Sequence, residues 1–204
     1  MRRIAQNIEY VIKCLQKQDI PTILQISDDR FGKDYITEDM FAFNDRRNFC
    51  LVAIDVNTKV PIGFCWCKII PGKEAKKISK SVINTKDEVG YVKTIAVDKN
   101  YEGKGIASKL LEVGLNCLLI QNNEYVLIFS TAWKTDKINI GNILTKNGFT
   151  EKKELEDYWY DYSIKHKVTC PYCKTIPCRC SCVIFTKWLK MKHKDCLSAF
   201  MSEM

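Results

Sequence analysis

Nowhere in this 204-residue chain do about 18 apolar residues follow one another, the length a helix needs to cross a bilayer. Met1-Arg2-Arg3-Ile4-Ala5-Gln6-Asn7 carries charge with no apolar core behind it, so it does not read as an export leader. No internal repeat and no low-complexity run is present, which excludes solenoids and tethers. These absences predict a cytoplasmic protein with no membrane partner. Acidic residues are the minority, 24 against 32 basic, for a net charge of +8. A basic surplus can draw in a polyanionic ligand or nucleic acid, or simply solvate a surface. The lysines most open to a nucleic-acid reading are Lys73, Lys76, Lys77, Lys80 and Lys86, and no aromatic residue interleaves with them. A solvated loop over residues 73–87 is therefore expected, and nucleic acid is not.

With 46% hydrophobic residues, the length suits one domain with a full core. Tyr10 to Leu15 reads as a strand. Ile20 to Ile26 has helical spacing and is expected to stop at Asp28-Asp29, and a short helix can begin at Thr37. Phe49 to Asp55 and Ile62 to Ile70, joined across Asn57 to Pro61, read as a hairpin. Strand Glu88 to Val97, a helix to about Ile120, strand Tyr125 to Ala132 and a helix over Asn139 to Lys146 follow, the last stopped by Gly148 as a left-handed cap. Two more strands close the chain, the second over Val183 to Leu189. This order predicts a mixed α/β sheet whose later strands are linked by helices.

The most informative stretch is Glu88 to Leu111, an apolar strand, a polar turn, and a Gly-x-Gly loop opening directly into an amphipathic helix. Gly103 and Gly105 let the backbone approach a ligand. The helix from Ile106 points unpaired N–H groups at it, where the macrodipole favours a pyrophosphate. The dinucleotide fingerprint needs a third glycine at position 108, which is serine. The P-loop needs Lys-Ser or Lys-Thr after its last glycine, whereas Lys104 precedes Gly105.

What remains, Ile95-Ala96-Val97 followed by Glu102-Gly103-Lys104-Gly105-Ile106-Ala107, resembles the acetyl-CoA loop of the GNAT superfamily of N-acetyltransferases. Glu102 stands where that family usually has Arg or Gln. The helix end before Asn147-Gly148-Phe149 is similar too, with Leu144 where the family carries a tyrosine that protonates the departing thiolate. The resemblance spans about residues 8 to 190 and implies a GNAT-like fold. It implies acetyl-CoA held by Ile95, Ala96, Val97 and by Glu102 through Ser108, between the Val97 strand and Tyr125 to Ala132. It also implies an asparagine contact from Asn139 or Asn142, and a base drawn from the strand itself, either Glu88 or Tyr91. The reaction implied is direct acetyl transfer to a primary amine of a small molecule or peptide.

Eleven cysteines in a chain without an export signal ask for another account than disulfides. Cys14, Cys50, Cys65, Cys67 and Cys117 fall in apolar segments and are expected to be buried. Cys170-Pro-Tyr-Cys173 and Cys178-Arg-Cys180-Ser-Cys182 crowd together, with the spacing of a four-thiolate zinc knuckle, a closed structural site without an open position. Cys170, Cys173, Cys178 and Cys180 are the preferred ligands. Cys182 shares parity with Cys178 and Cys180 and could replace one of them, and His166 and Cys196 are reserves. A redox Cys-x-x-Cys, disulfides and unconnected thiols are the alternatives.

The sequence thus predicts an acetyltransferase domain over 1–190, a zinc knuckle at 168–183 inserted between the last two strands, and a tail over 191–204. The aromatic run Tyr158-Trp159-Tyr160 could wall the acceptor site or simply pack, and Trp133 has the same two readings. The cofactors expected are acetyl-CoA as co-substrate and structural Zn2+. The acceptor and the oligomeric state, a homodimer included, stay open. The competing reading is a non-catalytic module that binds CoA or nucleic acid.

Overall fold

The computed structural model describes residues 8–43, 45–121 and 125–190. The predicted tail 191–204, with Cys196, lies outside them. In chain order the elements are β1 (Tyr10–Cys14), α1 (Ile20–Phe31), β2 (Asn48–Asp55), β3 (Pro61–Pro71), α2 (Gly72–Ile78), β4 (Glu88–Val97), α3 (Ile106–Gln121), β5 (Tyr125–Lys134), α4 (Gly141–Lys146), β6 (Thr150–Leu155), α5 (Tyr160–His166) and β7 (Ser181–Lys190). Seven strands form one mixed sheet in the order β1-β2-β3-β4-β5-β7-β6, in which only β4 and β5 run parallel. The predicted α/β architecture is the one observed. No helix among the described residues is long and apolar enough to cross a membrane.

Alternation along the strands sorts the core into two layers. From β2, Leu51 and Ala53 join Ile106, Leu110, Leu111, Leu115 and Leu118 of α3 on one face. Cys50, Val52 and Ile54 join Ile23 and Ile26 of α1 on the other, with Phe64 and Trp66 from β3. Both faces of the central strands are covered, so β3 reads as an almost unbroken apolar run.

Three elements depart from expectation. Helix α1 runs past Asp28-Asp29 to Phe31, because both carboxylates sit off the buried face: Asp29 accepts from Gln25, and Asp28 accepts from the Asp34 amide beyond the helix end. The expected loop 73–87 begins as helix α2. Its buried face is made of Gly72, Ala75 and then Ser79, residues too small to register as hydrophobic periodicity. A Cβ at Gly72 would stand 2.1 Å from the Thr85 carbonyl oxygen, so only glycine admits this close approach. The lysines there are exposed, as expected. The third is α5, which follows Trp159 where no helix was predicted. Of the scattered cysteines, Cys50, Cys65 and Cys67 are buried, whereas Cys117 is half-buried and Cys14 is exposed at the end of β1.

Two irregularities of β4 open the sheet. Trp66 pairs with Thr94 but Cys67 pairs with Val92, so Lys93 is an extra residue bulging from the strand. Parallel pairing with β5 covers only Gly90–Ile128, Tyr91–Phe129 and Val92–Ser130. Beyond Val92 the two strands part. β4 stays on β3 to Val97, while β5 stays on β7 to Lys134.

Candidate active site

The gap between the parted strands is a cleft lined by Ile95, Ala96 and Val97 of β4, by the run from Tyr101 to Ser108, and by Arg30, Trp133, Asn139 and Ile140. Gly103 and Gly105 hold φ of 73° and 78°, conformations that L side chains rarely adopt, and a Cβ on either would meet no atom within 4 Å. Glycine is required here for its backbone angle. Helix α3 starts one residue later, and its first N–H groups have no intrahelical acceptor. The predicted residues Ile95 through Val97, Glu102 through Ser108 and Asn139 all line this cleft. Asn142 does not; it is exposed on α4 and borders neither cavity described here. Asn139 lies just before α4 and not within it. Leu144, at the tyrosine position, is fully buried in the core.

Arg30 was not anticipated. Its Nε donates to the Val97 carbonyl at 2.9 Å, and its guanidinium pairs with Glu102. A positive group thus reaches the loop from α1, although position 102 itself is acidic.

A second cavity adjoins the cleft at Ile95, Phe31, Trp133, Asn139 and Ile140, which line both. Its own walls are Tyr35, Lys93, Thr94 and Thr131, then Trp159, Tyr162 and Ser163, and finally Val168, Cys170, Pro171 and Cys178. Tyr35 meets Trp159 and Tyr162 edge to face at 6.0 and 5.9 Å.

Neither predicted base lies in this cavity. Glu88 opens β4 at the far end of the strand, half-exposed and ion-paired with Arg47. Tyr91 is buried, stacked on Phe129 at 4.5 Å, with its hydroxyl hydrogen-bonded to Thr131 at 2.8 Å. Burial raises its pKa, which disfavours a phenolate. The titratable group that β4 does contribute is Lys93. Its Nζ lies 3.7 Å from the centroid of the Trp66 ring, and the Lys68 Nζ lies 4.8 Å from the same centroid. Burial first, and the charge of Lys68 second, bring the Lys93 ammonium down to about 7. One signal could have found it, a lone lysine within the otherwise apolar run Val89 to Val97.

The cysteine loop joins α5 to β7. The sulfurs of Cys170, Cys173, Cys178 and Cys180 all lie within 4.8 Å of one another, with Cys170–Cys180 at 3.7 Å and Cys173–Cys178 at 3.8 Å. Four sulfurs at about 2.3 Å from a tetrahedral zinc stand about 3.8 Å apart. The surroundings suit thiolates. The Cys173 amide donates to Cys170 Sγ at 3.4 Å and the Thr175 hydroxyl to Cys173 Sγ at 3.2 Å. Burial pushes Cys173 up, but hydrogen bonds from the Thr175 hydroxyl and amide, from Cys170 and from the Arg179 backbone together bring the thiol down to about 6. Burial raises Cys180 to about 11. Trp133 and Trp159 pack on the cluster with both indole N–H groups buried and without a hydrogen-bond partner, donors suited to charged sulfur. Cys182 is elsewhere, buried in β7 with Leu155 and Ile184. His166 stacks on Tyr162 at 4.4 Å. The loop is braced from two sides, by Ser163 Oγ accepting the Cys178 amide at 2.8 Å and by Gly32 lying against Thr169 and Pro171.

No curated protein sequence matches the chain. Its fold matches solved structures at low identity. The ribosomal-protein-S18-alanine N-acetyltransferase from Escherichia coli is 18% identical, with 92% of this chain and 98% of that one covered at a TM-score of 0.61. Arabidopsis thaliana NAA60 in complex with a bisubstrate analogue is 17% identical, with 89% and 100% covered at 0.64. The NatC complex bound to Gag peptide and CoA is 16% identical, with 91% and 100% covered at 0.57. The family model for the acetyltransferase (GNAT) family matches residues 20–128, from the start of α1 through the glycine loop and α3 into β5. A parted β4–β5 pair beside a glycine loop, together with a match over more than half of the sequence, makes the chain a member of the GNAT acetyltransferase family.

Proposed function

We propose that this protein transfers an acetyl group from acetyl-CoA to a primary amine by direct attack, on one catalytic domain spanning residues 1–190 into which a zinc knuckle at 168–183 is set. The observation that carries the reading is the junction at Ile95, where a main-chain-lined cleft meets a separate aromatic cavity. The cleft suits the co-substrate: Gly103 to Ser108 supply N–H groups for a diphosphate, and Ile95 to Val97 supply strand edge for an amide-bearing arm. The solved NatC complex is bound to CoA and the Arabidopsis NAA60 structure to acetyl-CoA, which supports the same co-substrate here.

In the reaction, the amine nitrogen forms a bond to the thioester carbonyl carbon. The oxyanion is held by a β4 amide N–H, and the C–S bond then breaks. An alkyl ammonium of pKa near 10 must first lose its proton. Lys93 serves as that base, because it lines the acceptor cavity and burial brings its pKa down to about 7, which makes the neutral form accessible near neutral pH. Its Nζ lies beside the Trp66 ring and feels the charge of Lys68, both from β3, while Tyr35, Thr131, Tyr162, Cys170 and Cys178 line the same cavity. The nitrogen sheds its second proton as the tetrahedral adduct collapses, and the departing thiolate, of ordinary pKa near 8.5, takes up that proton without a tyrosine at position 144.

Cys170, Cys173, Cys178 and Cys180 would hold zinc, whose contribution is structural, fixing the loop that walls the acceptor cavity. The test is thiol release from acetyl-CoA by the purified protein across amine classes, with metal analysis of the same sample. Amine-dependent release and about one zinc per chain are expected. Salt-sensitive nucleic-acid binding without acetyl-CoA affinity would overturn the reading.

A further inference from the structure

The acceptor cavity has a composition that selects among amines. Phe31, Tyr35, Trp133, Trp159 and Tyr162 supply rings, and Ile95, Ile140, Val168 and Pro171 supply aliphatic surface. No carboxylate is among its lining residues; Lys93 is its one basic side chain, and Cys170 and Cys178 of the sulfur cluster also line it. The acid that lines the adjoining cleft is Glu102, already paired with Arg30. We propose, resting on the acetyltransferase reading above, that the acceptor is a single primary amine carried on an apolar, aromatic body, and that polycationic amines are rejected.

A polyamine or aminoglycoside entering to its reacting nitrogen would bring further ammonium groups among the rings of this cavity, where no carboxylate answers them and the Cys170 and Cys178 sulfurs are committed to the proposed zinc. An unpaired buried charge is among the costliest things a site can hold. An arylalkyl body meets the rings of Tyr35, Trp159 and Tyr162 and excludes water from them, which favours it. Thr94 is among the polar lining residues, and its buried Oγ1 has no hydrogen-bond partner, which suits it to accept an N–H from the amine. The same chemistry can arrive as a free arylalkylamine or as a peptide whose first residue is aromatic.

The experiment measures thiol release from saturating acetyl-CoA with 2-phenylethylamine, tryptamine, peptides beginning with Phe or Trp, spermidine and an aminoglycoside. At least one aromatic monoamine is expected to exceed spermidine in kcat/KM by about tenfold or more, the usual size of discrimination by an apolar pocket. The free-amine and peptide arms distinguish the two sources, and turnover in either supports the proposal. Tyr162→Ala should raise KM for the aromatic acceptor by about tenfold with the acetyl-CoA Kd unchanged. Spermidine or the aminoglycoside as the better acceptor overturns this inference and leaves the acetyltransferase reading standing. Failure of every amine, together with failure to bind acetyl-CoA, overturns that reading itself.

Discussion

The glycine loop after β4 and the cysteine loop before β7 serve two cavities that meet at Ile95, and they are held by different physics. The first is local. Strand, turn and helix lie within 24 consecutive residues, from Glu88 to Leu111, and two positive-φ glycines set the loop. Its ligand groups are main-chain N–H groups, indifferent to neighbouring side chains. The second is assembled from afar. Its thiols come from residues 170–180, its braces from Gly32 and Ser163, and its apolar company from Trp133 and Trp159. The family match at residues 20–128 ends before the cysteine loop begins. A cleft built from backbone can persist while the side-chain-built cavity beside it takes another acceptor.

Removing a sulfur from the cysteine cluster tests that separation most severely. Cys173→Ser should abolish stoichiometric zinc and lower acceptor turnover by on the order of 100-fold or more, because the loop has little apolar mass of its own to order it. Acetyl-CoA affinity, read by calorimetry on the same protein, should stay within about threefold, since no thiol of the loop touches the cleft. Equal loss of both would show that the two loops fold as one unit.

Next in size is Lys93. If it takes the acceptor's proton, Lys93→Met should lower kcat/KM by about 100-fold. The sign of the pH dependence follows from its lowered pKa. The neutral form that accepts a proton gains population as pH rises, so wild-type activity should climb through about 7 and then level. The variant should lose that limb in a pH–rate profile, while acetyl-CoA Kd stays unchanged. A profile that keeps the limb assigns the proton to another group.

What the sequence revealed follows the same division. The glycine loop, the strand that carries it and the cysteine spacing were legible because each is a short-range pattern. Glu88 and Tyr91 belong to the strand that lines the cleft, but neither lines either cavity. The bulge at Lys93 and the parting of β4 from β5 depend on register with other strands, and no local pattern encodes register. Helix α2 stayed hidden because Gly72, Ala75 and Ser79 bury themselves by being small. Tyr35, Trp159 and Tyr162 converge only once α1, α5 and the cysteine loop have docked.

On the cleft side, Gly105→Val should raise the acetyl-CoA Kd by about tenfold. A β-branched residue at φ 78° costs about 1–2 kcal/mol and must distort the loop to relieve it. Zinc content should not change, which is the counterpart of the cysteine experiment.

The smallest effect expected is also the most discriminating about Glu102. The acidic residue at the usual Arg or Gln position deprives the loop of a cation, and Arg30 from α1 brings one back while capping the Val97 carbonyl. The pair is partly exposed, so the guanidinium is worth only about 1 kcal/mol to a bound anion, a few-fold in Kd. Arg30→Ala should therefore weaken acetyl-CoA a few-fold and steepen nothing in the salt dependence, whereas Glu102→Gln, which frees Arg30 from its partner, should tighten binding by a similar factor. If Arg30 merely shielded the Val97 carbonyl from the co-substrate, Arg30→Ala would tighten binding instead. Isothermal titration of the two variants at low and high salt decides which of these roles α1 plays at the loop.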